Sequence, residues 1–469
     1  MHPKTISIFL IAIFSFLFTG LVSGQSDFEL RYIELEGLKK CKPQVVLREL
    51  PFMEGDQLNQ VALLEAFQEA EDRLRNTGLF SSVELSIGSI SADNQVDVRV
   101  EVVEAWYPYL IPVFELADRN FNVWFVEYNH DFKRTNYGLH FYHYNVSGRG
   151  DRYELLVQQG FTHKYETEYY APFLSSKNKD LGLFVNALYT NNSDLNYATV
   201  DNQQLFHRDV DRFLFSRRRL IVGLENRNSI YLSQGLTFGF YKYMIDPYVE
   251  NNLNADFLLG RSQQRFFTIA YNLKLDKRDE RPYPMAGYYL NAGLVKEGIG
   301  VFDESDNLSL RLDYKKYQQF SERLSLAFRV FGDYGIQRNR PSFFQNRLLG
   351  YQDRYIRGYE YYVVDGLDAL VTQADLRFKL FDRDFNWGKL MFLESYRIMP
   401  YQIFVVPFLD MGYARDPWAA ASNTFNERFL PGYGIGVNFR LYYDKVFRFE
   451  WSRNVLGEMG FYLHWDLRV

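Results

Sequence analysis

Three groups of residues in this 469-residue chain have the types and spacing to do more than pack. The first is Arg357-Gly358-Tyr359. Arginine offers a planar fork of five donors, matched to a carboxylate. Gly358 lets the backbone turn tightly, and Tyr359 can pack its ring while its hydroxyl stays bonded. The second is Phe408-x-Asp410-x-Gly412, in which Asp410 shares a strand face with Phe408 and Val406. The third is Asp276-Lys277-Arg278-Asp279, followed by Pro284 and Gly287. Proline fixes φ and glycine frees it, so a short connection between strands is expected there. The chemistry open to the first two groups is charge pairing, because an arginine taken out of water is costly unless a carboxylate meets it.

Bond-making chemistry finds little support. The chain has no Gly-x-Ser-x-Gly elbow, no His-Glu-x-x-His and no Walker loop, so no enzyme activity is expected. One cysteine, Cys41, allows no internal disulfide and no clustered cysteine site. His140 and His143 are close, but no third ligand follows at metal spacing. No metal and no cofactor are expected. The net charge is −5 with both signs mixed, and no basic patch points to nucleic acid.

The elements that must position these groups show in the composition. Aromatics make up 18 % of the chain, with 42 Phe and 36 Tyr. Girdles of aromatic residues line both rims of a transmembrane β-barrel. The mean hydropathy of −0.30 argues against a helical membrane protein. A barrel hides its lipid face by alternation, which keeps that mean low. At the N-terminus, Lys4 precedes an apolar run from Ile6 to Leu21, then Val22-Ser23-Gly24. Residues 1–24 read as a secretory signal peptide, and no cysteine follows for lipid attachment. No other stretch approaches the roughly 18 apolar residues of a membrane helix.

Residues 28–104 have the texture of a small α+β domain. A short strand precedes Gly37, Pro43 opens a helix through Leu50, and a longer helix follows Asp56. Leu63, Phe67, Ala70 and Leu74 recur on one face of it, and Gly78 ends it. Strands then run from Phe80 to Ile87 and through Val96, Val98, Val100 and Val102. From Trp106 onward the period is two. Leu308, Leu310, Leu312 and Tyr314 alternate with Ser309, Arg311, Asp313 and Lys315. Phe447, Phe449 and Trp451 alternate with Arg448, Glu450 and Ser452. Phe461, Leu463, Trp465, Leu467 and Val469 alternate with polar residues in the same way. Apolar out and charged in is the demand of lipid outside and water inside. Alternation alone allows about fourteen to eighteen strands in 106–469. A loop of about thirty residues, long enough to be functional, separates the strand ending near Tyr334 from that starting near Leu367.

The strand-helix-helix-strand-strand order, with Leu74-Arg75-Asn76-Thr77-Gly78-Leu79-Phe80-Ser81-Ser82-Val83 at the helix-to-strand junction, resembles a POTRA domain. Arg357-Gly358-Tyr359, Phe408-x-Asp410-x-Gly412 and the Asp276 turn together resemble the BamA/TamA-type outer-membrane insertase superfamily, which includes FhaC-like two-partner secretion transporters. Gly148-Arg149-Gly150-Asp151 and Tyr170-Ala171-Pro172 resemble its early-barrel segments. The resemblance implies a membrane all-β fold: an antiparallel transmembrane β-barrel of about 16 strands behind one periplasmic POTRA-like domain.

It also implies that the long loop folds back into the lumen, that Asp410 faces inward, and that Arg357 pairs with it. The Asp276 turn becomes periplasmic. Localisation is the outer membrane of a diderm bacterium. The implied function is assembly or translocation of client polypeptides without nucleotide hydrolysis. The partners are outer-membrane lipid, unfolded β-barrel or secreted clients, and periplasmic chaperones or accessory lipoproteins. A dedicated secretion pore for one exoprotein and a passive channel stay open as alternatives. The chain departs from the family in ending Leu467-Arg468-Val469 where an aromatic residue is usual.

Overall fold

Alternation and helical stripes organise two units, residues 1–105 and 106–469. The computed structural model describes residues 28–116, 123–127, 129–175, 178–209, 211–302, 304–351, 354–391, 397–442 and 445–467. The signal-peptide reading of residues 1–24 lies outside the described residues, as do Arg468 and Val469.

In the first unit β1 (Phe28–Glu36), β2 (Gln57–Leu58), β3 (Phe80–Ile90) and β4 (Gln95–Glu104) form a sheet in the order β2-β1-β4-β3. Central β1 and β4 run parallel, with Leu30 opposite Val96 and Ile33 opposite Val98. Helix α1 (Pro43–Leu47) is followed by α2 (Gln60–Asn76). The predicted stripe of Leu63, Phe67, Ala70 and Leu74 is buried, as are Val96, Val98, Val100 and Val102. Each such valine or leucine stabilises the fold by about 1.5–3 kcal/mol. Two local expectations shift. Helix α1 stops at Leu47, short of Leu50, and β2 is an added strand. Asn59 caps α2, accepting from the Ala62 N–H at 2.9 Å, whereas the Asp56 carboxylate takes the Met53 N–H. The Glu104 carboxylate gathers the N–H groups of Lys39, Lys40 and Cys41 at 2.7–3.0 Å.

The second unit is one sheet of sixteen antiparallel strands. They are β5 (Pro108–Leu116), β6 (Thr135–Tyr144), β7 (Arg152–Gly160), β8 (Thr162–Ala171), β9 (Leu181–Asn192), β12 (Phe215–Arg227), β13 (Leu232–Ile245), β14 (Gln263–Asp276), β15 (Gly287–Glu297), β16 (Asn307–Gln319), β17 (Leu324–Gly335), β20 (Asp368–Asn386), β21 (Ile398–Arg415), β22 (Leu430–Leu441), β23 (Lys445–Arg453) and β24 (Met459–Leu467). Two short ladders, β10 (Asp194–Val200) with β11 (Gln203–Arg208) and β18 (Arg347–Leu349) with β19 (Val364–Asp365), lie in connections between them. Among the described residues β5 and β24, the two ends of the sheet, each pair on one side only.

The outward rows are apolar. Leu224 and Leu236 pair directly across β12 and β13, as do Val222 and Phe238, and all four are exposed. Leu310, Leu312, Leu376, Phe378, Ile435 and Trp451 continue the exposed set. A contiguous apolar surface of this kind belongs in lipid. The inward rows are polar and buried, including Asn186, Gln264, Asp410, Asn438 and Glu450. The sheet curls on itself. Asn202, between β10 and β11, donates its N–H to Asn423 Oδ1 at 2.9 Å, although seven strands separate β9 from β21 in the sheet.

Antiparallel alternation gathers the connections 193–214, 246–262, 298–306, 336–367, 416–429 and 454–458 at one rim, opposite the end where β5 begins. The long connection 336–367 is not structureless. It contains the β18–β19 ladder and a packed apolar cluster of Leu348, Leu349, Ile356, Tyr359 and Val364 with Phe425 and Leu430. An apolar cluster within the loop is what lets it hold a shape inside a polar interior.

Candidate functional site

The loop's lowest turn presents Arg357 to the inward face of β21. Its Nε and its own backbone N–H both donate to Asp410 Oδ2 at 3.0 Å, and Nη2 reaches Asp410 Oδ1 at 2.5 Å. Gln373 Nε2 adds a third donor to Asp410 Oδ2 at 3.0 Å. Asp410 has no exposed surface and the Arg357 side chain is 7 % exposed. The guanidinium stands over the Phe408 ring, 3.9 Å from its centroid. Arg357 also meets Asp375 on β20 at 2.7 Å and Glu450 on β23 at 3.5 Å. One cation therefore binds three strands of the wall at once.

Local sequence explains how so bulky an assembly fits. Gly358 sits at φ +91°, a conformation that L side chains rarely adopt. At Gly412 a Cβ would stand 2.0 Å from Ile356 Cδ1, so the glycine is the socket for that side chain. Tyr359 packs edge-on against Phe425, its hydroxyl donating to the Pro431 carbonyl at 3.0 Å and accepting from the Val455 N–H at 3.1 Å. Asn454 Nδ2 donates to the Gly358 carbonyl at 3.0 Å, which ties the turn to the β23–β24 connection.

A buried ion pair adds little net stability, because desolvation of both charges offsets their attraction. Its worth is specificity: with Asp410 removed, Arg357 would stay buried with part of its charge unmet. The arrangement is a latch that fixes the loop in one register.

The third group behaves differently from a simple turn. Asp276 holds Arg278 through two bonds of 2.7 and 2.8 Å. Asp279 accepts the N–H groups of Met285 and Ala286 at 3.1 and 3.0 Å, and Gly287, at φ +92°, begins β15. Residues 277–286 fold inward. Tyr283 is buried against Phe404, Val406 and Val446, and its hydroxyl accepts from Asn438 Nδ2 at 2.9 Å. Arg377 Nη1 donates to the Pro284 carbonyl at 2.8 Å, and Arg440 pairs with Glu280. The expected short connection is thus a ten-residue segment that enters the interior from the rim opposite the long loop.

Sequence reasoning missed Gln373, Asp375, Glu450, Ile356, Gly432 and Tyr283. A signal for three existed: Gln373 and Asp375 are polar, two apart and on one strand face, and Glu450 lies in the polar row of its strand. For Gly432 none did. A Cβ there would stand 1.9 Å from the Arg357 carbonyl, a clash visible only once the loop is in place. Between loop and wall lies a cavity of about 220 Å³, lined by Arg357, Asp375, Arg377, Arg448 and Glu450 among others.

Residues 28–105 match the POTRA family model, described as a surface antigen variable number repeat. The search of curated proteins finds no match to this sequence. Among solved structures, the chain is similar to BamA from Haemophilus ducreyi lacking POTRA domains 1–3. The TM-score is 0.53 at 14 % identity, over 93 % of this chain and 83 % of that one. CdiB from Escherichia coli gives a TM-score of 0.58 at 12 % identity, over 93 % of this chain and 75 % of that one. A POTRA domain followed by a lipid-facing sixteen-stranded barrel defines an outer-membrane protein with its POTRA domain in the periplasm. The fold as a whole is shared with those BamA and CdiB structures.

Proposed function

We propose that this chain inserts or translocates client polypeptides at the outer membrane without nucleotide hydrolysis. The observation that carries the reading is the pair of sheet ends. Strands β5 and β24 each lack a second partner among the described residues, so each offers N–H and C=O groups along an edge. A client strand pairing with either edge gains backbone hydrogen bonds and then burial in lipid. The latch of Arg357 on Asp410, Asp375 and Glu450 steadies the wall strands next to that seam. The Phe408, Asp410 and Gly412 wall motif and the Arg357, Gly358 and Tyr359 tip act in this reading as one positioning device. The Asp276, Arg278, Asp279, Pro284 and Gly287 segment braces the interior from the periplasmic side. The POTRA sheet, by strand addition, receives clients or accessory subunits.

A second reading, a dedicated secretion pore for one exoprotein, is favoured by the loop itself, which packs into the interior and in this reading acts as the plug. Depletion of the protein followed by quantification of the outer-membrane and secreted proteomes separates the two. Joint loss of many β-barrels supports the insertase. Loss of one exoprotein with barrels intact moves the function to secretion, and no change in either proteome leaves a passive channel. A disulfide tethering β5 to β24 probes the seam: undiminished function in the locked form removes lateral opening from the mechanism.

A further inference from the structure

Behind the latch, Glu360 of the long loop, Glu450 of β23 and His464 of β24 turn one atom each toward a common point. Their ligand-type atoms all lie within 4.8 Å of one another. His464 Nε2 stands 3.4 Å from Glu450 Oε2 and 3.8 Å from Glu360 Oε1. A tetrahedral zinc with ligands at about 2.0–2.1 Å requires ligand atoms about 3.3–3.4 Å apart. One edge of the triangle already has that length and the others need a modest closing movement.

The side chains are also oriented by other neighbours, as metal ligands commonly are. Glu360 Oε2 accepts from the Gly358 N–H at 2.8 Å. Glu450 Oε1 faces Arg357 Nη1 at 3.5 Å. The His464 imidazole stacks on Tyr355, 5.0 Å between centroids and 14° between planes. A second observation concerns burial. The Glu450 side chain is 4 % exposed, yet its Oε2 makes no hydrogen bond, and neither does the buried His464 Nε2. Buried polar atoms that make no hydrogen bond are costly at such depth.

We propose that Glu360, Glu450 and His464 form a binding site for a zinc-class divalent cation. One imidazole with two carboxylates suits zinc and its transition-metal neighbours, whereas magnesium and calcium favour oxygen ligands alone. The three ligands come from the loop and from the last two strands, so the ion fastens the loop tip to the edge strand of the sheet. No spacing rule in the sequence could find it, since 90 residues separate Glu360 from Glu450. The site stands on this geometry and does not depend on the proposed function. Its competitor is a proton on His464, shared between the two carboxylates.

The test is zinc uptake by the full chain folded in detergent micelles, by equilibrium dialysis and metal analysis, beside E360Q, E450Q and H464Q. The expected result is one tightly held Zn²⁺ per chain and at least a tenfold loss of affinity in each variant. Failure of the wild type to take up zinc, or equal uptake by all three variants, overturns the site. Should a variant fail to fold, cobalt decides on the wild type. Strong visible d–d absorption of a four- or five-coordinate Co²⁺ supports the site, and its absence from the folded protein overturns it.

Discussion

Gly412 and Ile356 share one volume: the side chain of the loop residue fills the place where a wall residue would carry its Cβ, 2.0 Å from Ile356 Cδ1. Substitution G412A forces Ile356 to shift, and overpacking of this kind costs about 1–3 kcal/mol. Chemical unfolding of the folded protein should show that loss, and protease should cut within 336–367 sooner than in wild type. A G412A protein as stable and as resistant as wild type would remove the socket.

Arg357 and Asp410 should prove strongly coupled. Breaking a buried pair from one side costs about 3–5 kcal/mol, because the survivor stays buried and unmatched. R357A and D410A are each expected to destabilise by that order, and the double variant by clearly less than their sum. A double-mutant cycle on unfolding free energies measures the difference. Fully additive effects would defeat the pairing. Asp375 and Glu450 also bind Arg357, so D410A should be milder than R357A.

Asp365, on the short β19 outside the spanning strands, gives the loop a pH dependence. Burial pushes its carboxyl up to about 6, Asp416 adds like charge in the same direction, and the Tyr351 hydroxyl, donating to it at 2.8 Å, works against the rise. A carboxyl raised above its ordinary value of about 3.9 favours the folded loop when protonated. That contribution is fully present below about pH 4 and is lost as pH rises through about 6. Hydrogen exchange of residues 347–366, corrected for the intrinsic rate, should therefore slow from pH 7 to pH 5. In D365N the slowing should vanish.

In the POTRA domain, N59A removes the acceptor that holds the Ala62 N–H and should cost about 1 kcal/mol. Thermal unfolding of the full chain should move only the POTRA transition. D56A, by contrast, leaves the helix cap intact and should leave the start of α2 no less protected in hydrogen exchange.

The sequence by itself determined the periodicities, and those depend only on local geometry. Val96, Val98, Val100 and Val102 must share a face of any strand, and Leu63, Phe67, Ala70 and Leu74 a face of any helix. Alternation of Leu310 and Leu312 with Arg311 and Asp313 likewise gives a strand one apolar and one charged face, as a wall between lipid and water needs. The resemblance of short motifs brought Arg357 and Asp410 together, 53 positions apart. Periodicity has nothing to say about which strands lie side by side across a lumen. Only the curled sheet brings Asp375 and Glu450 to the same guanidinium, turns Tyr283 into the interior, and makes Gly432 necessary. Those relationships are set by sheet curvature and by the depth to which a loop enters, and neither leaves a spacing in the chain.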